Sequence, residues 1–599
     1  MQLMQPTIEI LEKIKQNSAC NRDEVFTRLY RYLLRPDLYY LAYKKLYANN
    51  GAATEGVDSD TADGFSEEKI LNIIKTLADE SYSPKPARRM YIQKANGKMR
   101  PLGIPTFTDK LVQEVLRMIL EAVYEPNFLD CSHGFRPKRS CHTALKNLKQ
   151  HFNGIRWFVE GDIKGCFDNI DHAVLVGIIG SKIKDARLIK LIYKFLKAGY
   201  MENWQYNKTY SGTPQGGIVS PLFANIYLHE LDKFVTKMAK DFDRPREQQL
   251  TDEYTAIARQ LRSIRYKLKT AQGEERAELV SLIKPLRRDL LKTPCTSQTD
   301  KKIHYIRYAD DFIIGVKGSK EDCQEIKLQL SEFISRNLKM ELSEEKTLIT
   351  HSNTYARFLS YDIRVRRNSK IKHGGPTHCT KRTLNNMVEL CVPFDDKIMK
   401  FLFEKSIIKQ VNGQIKPIHR STLLHATELE VVSTYNAELR GICNYYNMAS
   451  NFNGLKYFAY LMEYSCLKTL AAKHDSTIAK TIEKYKDGKG KWCIPYQIKA
   501  GEKRLYFAKY TDAKKVKNPS DTITNAHNIY AWSNTTFESR LKAKQCELCE
   551  TTESKHYEIH HVNKLKNLSG KEPWERVMIA KRRKTLVVCK KCHHTIHNQ

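Results

Sequence analysis

Apolar positions along the chain recur at helical spacing in some stretches and run together or alternate in others. Residues 1–80 read as helices joined by polar connections. Residues 88–112 are strand-like and basic, and Asn96-Gly97 is a hairpin signal between two β-like runs. Val112, Val115, Leu116, Ile119 and Val123 then mark one face of an amphipathic helix. Residues 156–163, RWFVEGDI, predict a strand that ends in a carboxylate, and 173–200 and 221–240 predict helices. Residues 303–316, IHYIRYADDFIIGV, are two apolar runs meeting at Asp310-Asp311, which predicts a hairpin with acids at its tip.

Residues 243–300 stand apart. Ile257, Leu261, Ile264 and Leu268 form one helical stripe, and Leu279, Leu282, Ile283 and Leu286 form another beyond Gly273. The expectation is a helical hairpin inserted in a larger domain. From about 366 to 480 the chain reads as mostly helical and aromatic. Residues 481–543 hold 13 Lys or Arg against 6 Asp or Glu, interleaved with Trp492, Tyr496, Tyr506, Phe507, Tyr510, Tyr530 and Trp532. Basic side chains mixed with aromatic ones suit a DNA-target surface.

The length of 599 residues suggests several domains. No stretch approaches the roughly 18 uninterrupted apolar residues of a membrane span. The N-terminus has charge inside its apolar pattern and no small-residue cleavage site, so it does not read as a secretory signal. The formal net charge of +33 changes the picture more. That much uncompensated charge repels itself in a folded chain. A polyanion offsets the cost through counterion release, which points to nucleic acid rather than a membrane.

Eleven of the fifteen cysteines are scattered singly between Cys20 and Cys493, as in a reduced, cytoplasmic protein. The last four, Cys546, Cys549, Cys589 and Cys592, form two CxxC pairs with the spacing of a structural Zn²⁺ site. In a module of about 56 residues, zinc replaces much of a missing core. Between and after the pairs stand His560, His561, His593 and His597, which a zinc structure alone does not require.

Asp162 closes one strand, and Asp310 and Asp311 sit in the tip of another hairpin. Clustered carboxylates raise one another's pKa, a liability that bound divalent cations reverse. Two Mg²⁺ ions about 3.5–4 Å apart activate a hydroxyl and stabilise the leaving oxygen of a phosphoryl transfer. The box Tyr308-Ala309-Asp310-Asp311, the stretch GDIKGCFDNIDH from Gly161 to His172, and TPQGGIVSPLFANIYL from Thr213 to Leu228 occur in the order of reverse-transcriptase palm motifs. With RPLGIP at Arg100–Pro105, HGFRPKRSCHTAL at His133–Leu145, LSEEKTLIT at Leu342–Thr350 and RGICNYYN at Arg440–Asn447, the chain resembles a group II intron-encoded protein, nearest the lactococcal-type IIA class.

The resemblance implies a multidomain α+β fold. It contains a right-hand polymerase with α+β fingers and palm and a helical thumb, a basic DNA-binding segment, and a small zinc-containing ββα-metal (HNH) module. The implied segments are 1–365 (fingers and palm, with the insertion at 243–300), 366–480 (maturase and thumb), 481–543 (DNA binding) and 544–599 (HNH endonuclease). Asp162, Asp310 and Asp311, helped by the Ile163 carbonyl, would hold two Mg²⁺. Phe167 would crowd the sugar 2′ position and select dNTPs. Gln215 would lie against the incoming nucleotide, Lys94 and Arg100 would clamp its triphosphate, and Lys346 would protonate the leaving pyrophosphate. Ser360 stands where the family usually has a primer-grip Gly; a left-handed turn there would strain Ser by about 1–2 kcal/mol. In the nuclease, His560, His593 and His597 would bind a divalent metal such as Mg²⁺, and His561 would be the general base. Thr585 stands where the HNH motif usually has Asn.

The implied function is threefold: RNA-directed DNA polymerase, splicing maturase, and site-specific endonuclease in target-primed reverse transcription. The implied partners are an intron RNA, a double-stranded DNA target and dNTPs, with no membrane and with a homodimer left open, in a bacterial cytoplasm. Two other readings are a splicing cofactor with vestigial enzyme sites and the reverse transcriptase of another retroelement. The maturase motif and Cys/His tail weigh against the latter.

Overall fold

A computed structural model describes residues 6–598, apart from 50, 94–96, 98, 214–215, 246–249, 296–299, 369, 374–379, 384, 499–500 and 514–535. Its centre is a four-stranded antiparallel sheet in the order Lys302–Tyr308, Asp311–Lys317, Trp157–Asp162, Ile349–His351. Successive side chains on a strand point to opposite faces, and here the two faces feed two separate cores. Val159, Phe312, Ile314 and Val316 enter a core built with the N-terminal helices. Phe158, Ile306 and Ile313 enter a second core with residues 388–470.

Most predicted elements are present. Strands Ala87–Gln93 and Met99–Ile104 pair antiparallel, although the turn at Asn96 lies outside the described residues. The amphipathic helix is Phe107–Tyr124, and it is buried on nearly every side, Lys110, Glu114 and Glu121 included. Two of its buried carboxylates share one cation, because Arg117 reaches both Glu114 and Glu121. The insertion is a helical hairpin, Asp252–Lys267 and Gly273–Lys292. Only Leu261 of its apolar stripes is buried within those helices, so the hairpin adds little to either core.

One expectation needs correction. Residues 366–480 are not mostly helical throughout. Strands Ile371–His373, Thr380–Arg382, Val388–Cys391, Ile408–Val411 and Gln414–Pro417 come first, and the long helices Glu428–Tyr445 and Leu455–Lys473 follow. Short strands with mixed polarity carry little periodic signal, and the aromatic residues around them masked it. In the basic segment, Cys493–Ile498 and Gly501–Tyr506 form a hairpin. Trp492, Phe507 and Tyr510 are partly buried against the second core, whereas Tyr506 is exposed. Tyr530 and Trp532 lie outside the described residues. No helix among the described residues is long and apolar enough to cross a membrane.

The C-terminal Cys/His module folds as strands Tyr557–His561 and Thr585–Cys589 followed by helix Lys590–His597. A two-residue strand from the far end of the chain, Phe65–Ser66, pairs antiparallel with Tyr557–His561. Phe65 is fully buried, stacked on Tyr43 with ring centroids 3.9 Å apart. Ile559, Leu586 and Met578 of the module share a core with the N-terminal helices.

Beneath the acidic hairpin lies Arg307, fully buried. Its five N–H groups make five hydrogen bonds. Two go to the carboxylate of buried Asp232 at 2.7 and 2.6 Å, and the others to Asn225 Oδ1, Ser132 Oγ and the Ala309 carbonyl. One guanidinium thus ties helix Ser220–Phe242 and the 129–133 segment to the turn that carries Asp310. Removing one partner of a buried, satisfied pair leaves an uncompensated charge. Asp232→Asn is expected to lower unfolding stability by about 3–5 kcal/mol in urea titration. Arg307→Met combined with Asp232→Leu should regain stability while primer extension stays low, because Ala309 has lost its anchor.

Candidate active sites

Asp162 ends its strand directly opposite Asp311, the first residue of Asp311–Lys317. Tyr308 and Asp311 face each other, so the turn holds only Ala309 and Asp310, with Ala309 at φ +58°. A positive φ at the first turn residue matches strand twist in a two-residue hairpin. It disfavours Ala, and the Arg307 bond to the Ala309 carbonyl helps hold it. Gly134 packs so tightly beneath the turn that a Cβ there would meet the Ala309 nitrogen at 2.3 Å.

The three carboxylates therefore converge. Burial is the largest influence on Asp310 and Asp311 and raises both. The charge of Asp310 and a side-chain hydrogen bond with Asp162 help push Asp311 up to about 7. Lys346 Nζ lies 2.6 Å from Asp162 Oδ2, and that bond raises the lysine's own pKa. Arg100, exposed on Met99–Ile104, lowers the pKa of Asp310 through its charge. Three carboxylates set against the charges of Lys346 and Arg100 leave the site short of positive charge, and hard oxygen donors of this kind suit Mg²⁺.

The other expected residues are placed as follows. Ile163 bridges Leu342 through the Asp162 carbonyl and the Lys164 amide, bonds that do not use its own carbonyl. Phe167 is half-buried, edge-on to exposed Phe135 at 6.3 Å, and its carbonyl accepts from the Thr213 amide at 2.7 Å. Lys94 and Gln215 lie outside the described residues. Leu359 and Ser360 form a two-residue turn between paired Phe358 and Tyr361, and Ser360 is left-handed at φ +59°. The Tyr445 hydroxyl donates to the Leu359 carbonyl at 2.7 Å and the Tyr446 hydroxyl to that of Ser360 at 3.1 Å. The NYYN stretch thus holds the strained turn from outside.

In the C-terminal module Cys546, Cys549, Cys589 and Cys592 converge, their sulfurs within 4.8 Å of one another. Cys549 Sγ and Cys589 Sγ are 3.8 Å apart. A tetrahedral edge at the Zn–S distance of about 2.3 Å is about 3.8 Å, so the donor set fits zinc. Burial pushes the Cys546 thiol up, but main-chain donors outweigh it and bring it down to about 7, whereas the Cys549 and Cys592 thiols are held above their usual range.

A second cluster joins His560, His593 and His597 to Asp63, again within 4.8 Å. His593 Nδ1 bonds Glu558 at 2.5 Å, which turns its Nε2 inward. His560 is buried, with neither ring nitrogen hydrogen-bonded; its Nδ1 is 3.2 Å from Asp63 Oδ1 but out of line for a bond. One buried imidazole without a hydrogen bond, beside two whose inward Nε2 atoms share a single carboxylate oxygen, makes a donor set that suits a divalent cation. His561 points elsewhere, edge-on to Tyr47 at 6.0 Å, and burial lowers its pKa, which keeps it neutral. Thr585 faces His561 across the ladder, and Arg540 donates to its carbonyl at 2.9 Å and its hydroxyl at 3.3 Å. Arg540 also pairs with Glu547, which accepts from the Val587 amide. This network pins the strand at the position where an Asn would have done so.

Two residues that matter here have little or no signal in the local sequence. Arg307 lies within the acidic hairpin, and an arginine amid apolar strand residues is its only signal. Asp63 carries none, because its partners are about 500 residues away.

Three family matches cover most of the chain. Residues 92–257 match reverse transcriptase (RNA-dependent DNA polymerase), 385–535 match type II intron maturase, and 546–593 match the AI2M/AI1M-like HNH endonuclease. The chain is 62% identical over 598 residues to the group II intron-encoded protein LtrA of Lactococcus lactis subsp. cremoris, covering 99% of this chain and 100% of that one. It is 35% identical to an uncharacterized 91 kDa protein in a cob intron of Schizosaccharomyces pombe, over 94% of this chain and 69% of that one. It is 30% identical to a COX1/OXI3 intron 2 protein of Saccharomyces cerevisiae, over 98% and 68%. With its carboxylate hairpin, maturase region and Cys/His module in this order, the chain belongs to the group II intron-encoded proteins, as a reverse transcriptase with an HNH endonuclease domain.

Proposed function

We propose that this protein assists the splicing of its own intron RNA, stays with the excised RNA, nicks a DNA target with its C-terminal module and copies the RNA from the exposed 3′-OH. The observation that carries this reading is the cross-strand pairing of Asp162 with Asp311, with Asp310 at the adjoining tip and Lys346 against Asp162. We assign the fingers and palm to 1–365, the maturase and thumb to 366–480, DNA binding to 481–543 and the nuclease to 544–599. Near-full-length identity to a protein of Lactococcus lactis and the singly scattered cysteines support a bacterial cytoplasm.

In the polymerase, Asp162, Asp310 and Asp311 with the Ile163 carbonyl would hold two Mg²⁺. Bound there, the ions would supply an activated 3′-hydroxyl and charge neutralisation on the triphosphate. The protein's own contribution is position. The hairpin fixes the carboxylates, Arg100 brings positive charge toward the phosphates, and Phe167 beside Phe135 forms a wall against a 2′-hydroxyl. Lys94 and Gln215 are assigned by resemblance to the triphosphate clamp and the incoming nucleotide. Lys346, kept protonated by Asp162, is poised to give a proton to the leaving pyrophosphate. In the nuclease, His560, His593 and His597 would hold a divalent ion, which would supply polarisation of a water, and His561 is assigned by resemblance as the general base. The four cysteines hold structural zinc.

For RNA, helix Leu455–Lys473 presents Tyr457, Tyr460 and Tyr464 on its exposed side, with Tyr457 and Tyr460 stacked at 6.3 Å. Aromatic faces with nearby lysines suit unpaired bases and phosphates.

Three outcomes test this. Asp310→Ala with Asp311→Ala should abolish primer extension on a primed RNA template and leave splicing assistance in place; extension that survives would remove the carboxylate assignment. Because Asp311 sits near pH 7 and must lose its proton to bind Mg²⁺, the Mg²⁺ concentration for half-maximal extension should rise about tenfold from pH 8 to pH 6. His561→Ala should reduce DNA nicking by about 10²–10⁴-fold in a plasmid or oligonucleotide assay, with primer extension unaffected.

A further inference from the structure

The nuclease histidines do not stand alone. Strand Phe65–Ser66 adds to the edge of the module's sheet, with Phe65 opposite Ile559 and Ser66 opposite Glu558. The Gly64 amide donates to the Ile559 carbonyl at 3.1 Å. Gly64 is left-handed at φ +71°, and that turn carries the preceding residue back toward helix Lys590–His597. An added Cβ at Gly64 would meet His593 Cε1 at 3.8 Å. Register and turn together bring the Asp63 carboxylate into the centre of the imidazole cluster.

Its contacts are specific. Oδ1 accepts from the His561 amide at 2.6 Å and lies 3.2 Å from His560 Nδ1. Oδ2 is 2.7 Å from His597 Nε2 and 3.2 Å from His593 Nε2. The two Nε2 atoms are 3.3 Å apart. Glu558 occupies the other nitrogen of His593, so its inward nitrogen is left for the cluster. Buried His560 has no hydrogen bond at either ring nitrogen. Three imidazoles and one carboxylate that converge within 4.8 Å form a mixed nitrogen and oxygen donor set. A surface loop that merely covered the site would not need a buried Phe65 anchor or a paired strand.

We infer that Asp63 is a ligand of the nuclease's divalent metal, so the endonuclease centre is completed by the N-terminal part of the reverse transcriptase. This rests on the nuclease reading above and goes beyond it. The two ends of the chain must dock before the nuclease site is whole, which ties DNA cleavage to a folded polymerase.

The test is a Mn²⁺ titration, followed by electron paramagnetic resonance, on the full zinc-loaded chain. Asp310→Asn and Asp311→Asn are present throughout to silence the polymerase site. Asp63→Asn keeps an acceptor for the His561 amide but loses the charge, and Asp63→Glu keeps the charge. Asp63→Asn and His560→Ala should each weaken Mn²⁺ binding at the remaining site by about tenfold or more, and Asp63→Glu should retain more affinity than Asp63→Asn. If His560→Ala weakens binding and Asp63→Asn does not, the inference fails and the nuclease reading stands. Unchanged binding in both removes the nuclease metal assignment with it. Tighter Mn²⁺ binding in Asp63→Asn would make Asp63 a plug rather than a ligand, and equal losses in the Asn and Glu variants would mean its charge does no ligating; either outcome overturns the inference.

Discussion

The buried ion pair of Arg307 and Asp232 underlies the polymerase centre. An arginine in a fully buried strand position is tolerable only when every N–H is satisfied and its charge is matched. Both conditions are met, and meeting them fixes three pieces of chain at once. One of those pieces is the Ala309 carbonyl, inside a turn whose left-handed residue is not glycine. The position of Asp310 therefore depends on a cation several bonds below it, and the carboxylate site is as rigid as the pair that supports it.

The central sheet extends this rigidity outward. Because neighbouring residues on each strand face opposite ways, one sheet serves two cores, one with the N-terminal helices and one with the long C-terminal helices. The acids sit at the end of the sheet where both cores meet it. The turn at Leu359 and Ser360 is reached from the second core by the Tyr445 and Tyr446 hydroxyls. Those two bonds tie the turn's left-handed residues to the helical region.

At the other end of the chain, the small Cys/His module is stabilised in two ways. Four cysteines gather into a zinc-sized cluster, and an edge strand from the N-terminal region closes its sheet. Edge pairing satisfies main-chain groups that would otherwise face solvent. It also brings Tyr47 and Asp63 against the two adjacent histidines, which project in different directions because they are neighbours on a strand. One imidazole is thereby assigned to a donor cluster and the other to a separate, neutral environment.

Local sequence determined a good deal. The hairpin signal of YADD, the amphipathic helix before it, the inserted helical pair and the two CxxC pairs were legible because each is encoded within a few residues by turn chemistry, periodicity or ligand spacing. The family's motif order made the overall plan readable as well. What the sequence left open was non-local. The β-rich start of the 366–480 region has strands too short and mixed to show a period, and inward-facing Trp492, Phe507 and Tyr510 look the same in sequence as exposed aromatics. Arg307's partners are contributed by other elements, and Asp63 meets its histidines across most of the chain. Contacts of that kind depend on how sheets and helices pack in three dimensions, and no local pattern of residue types records them.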